Sequence, residues 1–170
     1  MLGFFLRFCV LLAIMFTARV LKPVQEWVTI PFTALLADVS AMIIKAFDSE
    51  VASHGVIIYS TTKPWAVEIA AGCDGIEGLI ILFSGILAFP APWRYRLIGM
   101  LIGFVAVQGL NLVRIISLYY LGQWSETAFE WFHLYLWQAL IILDAMVVWL
   151  LWLRYLPRKP RSTSTAPATA

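Results

Sequence analysis

The sequence predicts an all-α integral membrane bundle of about five transmembrane helices, with a small β-hairpin-like loop on the extracytoplasmic side. Three observations carry this. Of the 170 residues, 62% are hydrophobic and 13% charged, with a mean hydropathy of +0.86, whereas a soluble domain carries about 25% charge. Apolar runs recur near the ~20 residues that a helix needs to cross a bilayer. Eight Trp, six Tyr and eleven Phe suit a chain that meets two membrane–water interfaces.

Taken in order, the first span runs from about Phe4 to Leu21. It lacks the small-residue cleavage site of a signal peptide and reads as a mature helix. The second runs from Trp27 to Phe47 and carries Asp38. The third, short and very apolar, runs from Asp74 to Phe89. The fourth covers Leu97 to Tyr120 and the fifth Ala128 to Leu153. Residues 1–156 read as a single membrane-embedded domain. Residues 157–170, rich in Pro, Ser, Thr and Ala, read as a disordered cytoplasmic tail.

Charge bias orients the bundle. Arg19 and Lys22, Arg94 and Arg96, and Arg154, Arg158, Lys159 and Arg161 are eight of the twelve basic residues. They fall on one side if the amino terminus is outside, the carboxyl terminus inside and the spans number five. If the second helix is re-entrant, the count is four and the amino terminus moves inside. Either way Cys73, Arg114 and His133 lie on the outer side. Arg114 sits roughly 9 Å below the end of the fourth helix at 1.5 Å per residue.

The longest outer loop spans residues 48–73. His54–Ser60 and Trp65–Ile69 have strand composition, and Thr61–Pro64 supplies a turn between them. This hairpin delivers the chain to Gly72-Cys73-Asp74-Gly75. Asp74 followed by Glu77 has capping-box character, which puts Cys73 beside a helix amino terminus, where a thiolate is stabilised. Gly72 and Gly75 permit a tight turn or close approach of a substrate backbone. The same string also suits a plain turn with a small apolar side chain.

Arg114 lies inside a span, where a charge costs on the order of 3 kcal/mol. Gln108, Asn111 and Arg114 form a polar arc directed at other helices. Arg114 reads either as a fixed charge beside a thiolate or developing oxyanion, or as half of a structural ion pair with Asp38 or Asp144. Thr127-Ala128-Phe129-Glu130 reads as a capping box, so His133 lies early in the fifth helix with Glu130 three residues before it, able to orient the ring. His54 is a rival base. Gly99-x-x-x-Gly103 suits close helix packing, and Cys9, in an apolar helix, reads as inert.

Other classes are excluded. A net charge of +2, scattered along the chain, does not suit nucleic acid. Two Cys and two His are too few for a disulfide framework or a metal site. No phosphate loop or metal motif is present, so no cofactor is expected.

The run Ala71-Gly72-Cys73-Asp74-Gly75-Ile76-Glu77, then Leu110-Asn111-Leu112-Val113-Arg114-Ile115, then His133 near the start of the last helix resembles the exosortase/archaeosortase family. Gly-Cys-x-Gly, Asn-x-x-Arg and a later His are that family's landmarks, in this order. The short length and the stretch from Val105 to Tyr155 resemble the exosortase H branch. The resemblance implies a membrane cysteine protease or transpeptidase of the bacterial inner membrane, with its active site facing the periplasm. It would cleave exported proteins that end in a short motif, a transmembrane segment and a basic cluster, with tails of the IPTLxxWG-CTERM kind. It would act through an acyl-enzyme and pass the product to water, a lipid or a glycan. Cys73 would be the nucleophile, Arg114 the charge stabiliser and His133 the acid–base, with Asn111, Glu130, Gly72 and Gly75 in support. Asp74 departs from the Asn often found in the branch and adds a negative charge that raises the thiol pKa. Without the resemblance, the chain also suits a noncatalytic membrane scaffold or polysaccharide-export assembly subunit, or an acyl-chain transferase using the same thiol.

Overall fold

The computed structural model describes residues 2–157, so the tail expected to be disordered lies outside the described residues beyond Pro157. Five helices form: α1 (Leu2–Val20), α2 (Lys22–Lys45), α3 (Ile76–Ala88), α4 (Trp93–Trp124) and α5 (Glu126–Tyr155). Each of α2 and α5 contains one π turn, Gln25–Thr29 and Phe132–Leu136 respectively. Among the described residues four helices are long and apolar enough to cross a membrane. The exception is α3, whose 13 residues span about 20 Å at 1.5 Å per residue, against a hydrocarbon core of ~30 Å. Phe5, Leu101, Val105, Leu143 and Leu151 remain exposed on the helix surfaces, as lipid-facing side chains do.

All five helix starts differ from expectation, α2 most, at Lys22 rather than Trp27, and two of the differences have a clear local cause. α4 begins at Trp93 rather than Leu97, because Pro92 sits at its N-cap with φ −59° and presets the backbone for the first turn. α5 begins at Glu126, because Ser125 caps it: its Oγ accepts the Ala128 N–H at 3.3 Å. This cap precedes the Thr127–Glu130 box and replaces it.

Helix α1 runs antiparallel to α3. At one end the Phe4 ring packs on Phe89 and Trp149, at 6.0 and 6.3 Å between centroids. At the other, Arg19 pairs with Asp74 and Glu77, each at 3.0 Å. Arg19 therefore lies at the Cys73 end of the bundle, not with Arg94 and Arg96 as charge bias suggested. Its two carboxylate partners cancel the charge that made it look like a loop marker. The amino terminus of α1 accordingly lies at the Arg94–Arg96 end. Because α1 ends and α3 begins at the Cys73 end, the intervening chain leaves and returns there.

The loop before α3 is a three-stranded antiparallel sheet in the order β1 (Val51–His54), β2 (Ile57–Ser60), β3 (Ala66–Glu68). The β2–β3 pair is the expected hairpin, with Ile58 opposite Val67. The β1 strand was not anticipated. The apolar run from His54 is broken by Gly55, whose φ of +59° opens the two-residue turn between β1 and β2. Val51, Ile58 and Ile69 bury against Leu36, Ala41 and Ile44 of α2 and Ile115 and Tyr119 of α4. Ser53 donates to Asp38 at 2.7 Å, which ties the sheet to α2. At the opposite end, Gly99 and Gly103 make room for the Trp152 ring and the Leu82 side chain. Trp152 also donates to the Tyr95 carbonyl at 2.8 Å.

The Arg19 pairing should be measurable. Arg19→Ala leaves the fully buried Asp74 carboxylate without its cation, which costs about 3–5 kcal/mol. Thermal denaturation in detergent should show a lowered Tm, and adding Asp74→Asn should recover more than half of the loss. No recovery would mean that the pair does not carry this load.

Candidate active site

The turn that holds Cys73 is built from backbone constraints. The Cys73 N–H donates to the Ala70 carbonyl at 2.9 Å. Gly72 and Gly75 take φ of +95° and +72°, the left-handed region that side chains resist. Gly75, not Asp74, is the N-cap of α3. The Asp74 carboxylate accepts the Ile76 N–H at 3.0 Å, a local turn rather than the expected reciprocal box. Glu77 does not reach back to the cap; it extends to Arg19.

The polar arc of α4 supports this turn from beneath. Gln108 donates to the Asp74 carbonyl at 3.2 Å, and Asn111 is fully buried beside it. A Cβ at Gly75 would come within 2.9 Å of Gln108 Nε2 and 3.2 Å of Asn111. Gly75 is therefore required twice, by its φ and by this contact.

The structure brings Cys73, Arg114 and His133 together from positions 41 and 60 residues apart. Arg114 Nη2 lies 3.6 Å from Cys73 Sγ, and His133 Nε2 and Nδ1 lie 3.7 and 4.0 Å from the same sulfur. Arg114 is 2% exposed, and its Nε and Nη1 have no partner. Neither Asp38 nor Asp144 pairs with it: among the described residues the only ion pairs are those of Arg19. The three groups border a cleft of about 30 Å³ walled by Val67, Ile69, Ile115, Leu118 and Phe129.

Burial pushes the Cys73 thiol up from its ordinary pKa; Arg114 counters this, while Asp74 and Glu77 add to it. A thiolate favoured by the helix start was expected. Cys73 instead precedes the N-cap by two residues, and helix-end effects fade within a turn, so desolvation prevails.

Two expected supports behave differently. Glu130 is exposed and makes no hydrogen bond to His133. Phe129, four residues before the histidine, stacks parallel on the ring at 5.6 Å. His54 is exposed at the end of β1 and does not border the Cys73 cleft. Arg19 and Gln108 were missed as supporting residues. The signal for Gln108 was its place on the Asn111–Arg114 arc, whereas Arg19 carried none beyond its charge.

Gly75→Ala should displace the Cys73 turn. The left-handed backbone alone costs about 1–2 kcal/mol. Both a lower Tm in detergent and at least a tenfold slower alkylation of Cys73 are expected. Unaltered alkylation would show that the turn tolerates a Cβ at this position.

A family model described as transmembrane exosortase matches residues 2–151. No curated protein and no solved structure matches the chain. The family match takes in the sheet, the first four helices and most of α5, including the positions where thiol, guanidinium and imidazole meet. On it, the chain belongs to the transmembrane exosortase family.

Proposed function

We propose that this protein is a membrane cysteine transpeptidase that cleaves the carboxyl-terminal sorting tail of exported proteins through a Cys73 acyl-enzyme. Family membership supports a membrane sorting role in general terms. The observation that carries the specific chemistry is the convergence of Arg114 Nη2 and His133 Nε2 on one sulfur, at 3.6 and 3.7 Å.

In the first step Sγ attacks the scissile carbonyl carbon, and its proton passes to His133. The S–C bond forms and the carbonyl electron pair moves onto oxygen, where Arg114 offers N–H donors and a fixed charge. Collapse breaks the C–N bond, and His133 returns the proton to the leaving amine. In the second step an acceptor hydroxyl or amine, or water, attacks the thioester. It gives up its proton to His133, which hands it to the departing sulfur, and Cys73 is regenerated. Burial raises the Cys73 thiol from its ordinary pKa, which favours proton removal by His133 in concert with attack.

The reading assigns the Cys73 end to the periplasmic face of the bacterial inner membrane and the Arg94, Arg96 and Arg154 end to the cytoplasm. The exosortase H likeness of the last two helices favours clients with IPTLxxWG-CTERM tails.

In cells expressing a tailed exported protein, Cys73→Ala, Arg114→Ala and His133→Ala should each leave the client full length while the variant still inserts. Cys9→Ser should process normally, since Cys9 lies on α1 away from these groups. Normal processing by Cys73→Ala would sink the nucleophile assignment.

In a Cys9→Ser background, the rate of Cys73 alkylation should rise with pH through a midpoint above the ~8.5 of an ordinary thiol. Arg114 lowers this midpoint, so Arg114→Gln should move it further upward. A midpoint at or below that of an ordinary thiol, or a downward movement in the variant, would contradict the assigned electrostatics.

A further inference from the structure

The cleft at Cys73 is one part of a longer track. Beyond it, on the side of the sheet, lies a larger cleft of about 480 Å³ bordered by Trp65, Glu68, Gly122, Glu126, Phe129 and Glu130. The two share Val67, Glu68 and Phe129. On the other side, Arg114 borders both the Cys73 cleft and one of about 90 Å³ that includes Gly72, Gly75 and Gln138. That cleft in turn shares Ile81 and Ile142 with an apolar groove of about 320 Å³ between α1, α3 and α5, walled by Phe5, Phe8, Leu82, Gly85, Met146 and Trp149. The four spaces therefore form a series with Cys73 in the middle, polar and acidic at one end and apolar at the other. The Nε and Nη1 of Arg114, buried and without partners, stand where the series narrows.

We infer that one polypeptide segment lies along this track: its membrane-buried part occupies the α1–α3–α5 groove, its polar part lies in the Glu68–Glu126–Glu130 cleft, and the bond joining them meets Cys73. This rests on the sorting-tail reading and adds the path and polarity of the client. A client tethered by a carboxyl-terminal membrane segment places its exported side against β3 and the start of α5. Its tail then descends past Arg114 towards Phe4 and Trp149. Charge selects a peptide over an anionic lipid as occupant. Three glutamates at the outer end repel a phosphate headgroup but leave a neutral or basic peptide unhindered. The unpartnered Arg114 donors match peptide carbonyls in number and burial, as buried donors require.

Disulfide trapping tests both path and polarity. Single cysteines are placed at Ile142 and Met146, half-exposed in the groove, and at Ala66 in the outer cleft, with Leu101 and Val105 on the lipid face of α4 as controls. The background is Cys9→Ser, Cys73→Ala. The probe is an epitope-tagged exported protein that ends in a sorting motif, a transmembrane segment and a basic cluster, with one cysteine either within that segment or just before the motif. Cysteines in the segment should trap at Ile142→Cys and Met146→Cys at least tenfold over the controls. Cysteines before the motif should trap at Ala66→Cys. Trapping equal to the controls, or the reverse pairing, overturns the track. Processing of the same client by the unmodified enzyme is read in parallel. Processing without groove adducts discards the track and leaves the transpeptidase reading standing, whereas adducts in the stated pairing without processing support the track and count against the chemistry.

Discussion

Helix α3 stops short, and much of the molecule is arranged around where it stops. Its first turn lies level with Gln108 and Asn111, near the middle of the 32-residue α4. Irregular backbone is consequently left beside a helix surface that would otherwise face lipid. Lipid offers such backbone no hydrogen bonds, so protein must cover it. Gln108 takes the Asp74 carbonyl, Asn111 packs beneath Gly75, and Arg19 comes from α1 to neutralise Asp74. The polar arc of α4 and the broken start of α3 thus satisfy one another, and Cys73 is carried on the turn between them. The burial that satisfies the backbone also buries the sulfur.

That coupling explains the electrostatics of the thiol. A helix amino terminus would stabilise a thiolate, but covering the turn also desolvates the sulfur, and desolvation is the larger influence. Arg114 is the cation in contact with it. A raised thiol pKa and partial burial both slow adventitious oxidation, which follows thiolate character and exposure.

The three groups of the candidate site were legible because each carries a local anomaly. Cys73 stands in a glycine-flanked string at the start of an apolar run, Arg114 is a charge within a span, and His133 closely follows a cap. The five helices were legible from length and hydropathy. What was not legible depended on pairing across the chain. Arg19 looks like any basic residue at a helix end until Asp74 and Glu77 meet it, and the charge-bias reading then loses one of its votes. Glu130 has the right spacing to reach His133, but spacing does not register that its side chain is left exposed. The β1 strand, Val-Ala-Ser-His, lacks strand composition and is recruited by its partner β2 and by burial of Val51 against α2.

The π turn at Phe132–Leu136 has a consequence for how this region can vary. A π turn accommodates one more residue than the α-helical turn it replaces. The part of α5 that holds His133 is therefore out of phase, by about one residue or 100°, with the part that buries Ile141, Ala145 and Trp152. Deleting a single residue here would restore regular winding and swing the imidazole away from the sulfur while the rest of α5 stayed in place. Leu134 and Tyr135 are exposed and free to change identity, but the segment's length is constrained from both sides. Substitutions should be common in this stretch, and insertions or deletions should be almost absent.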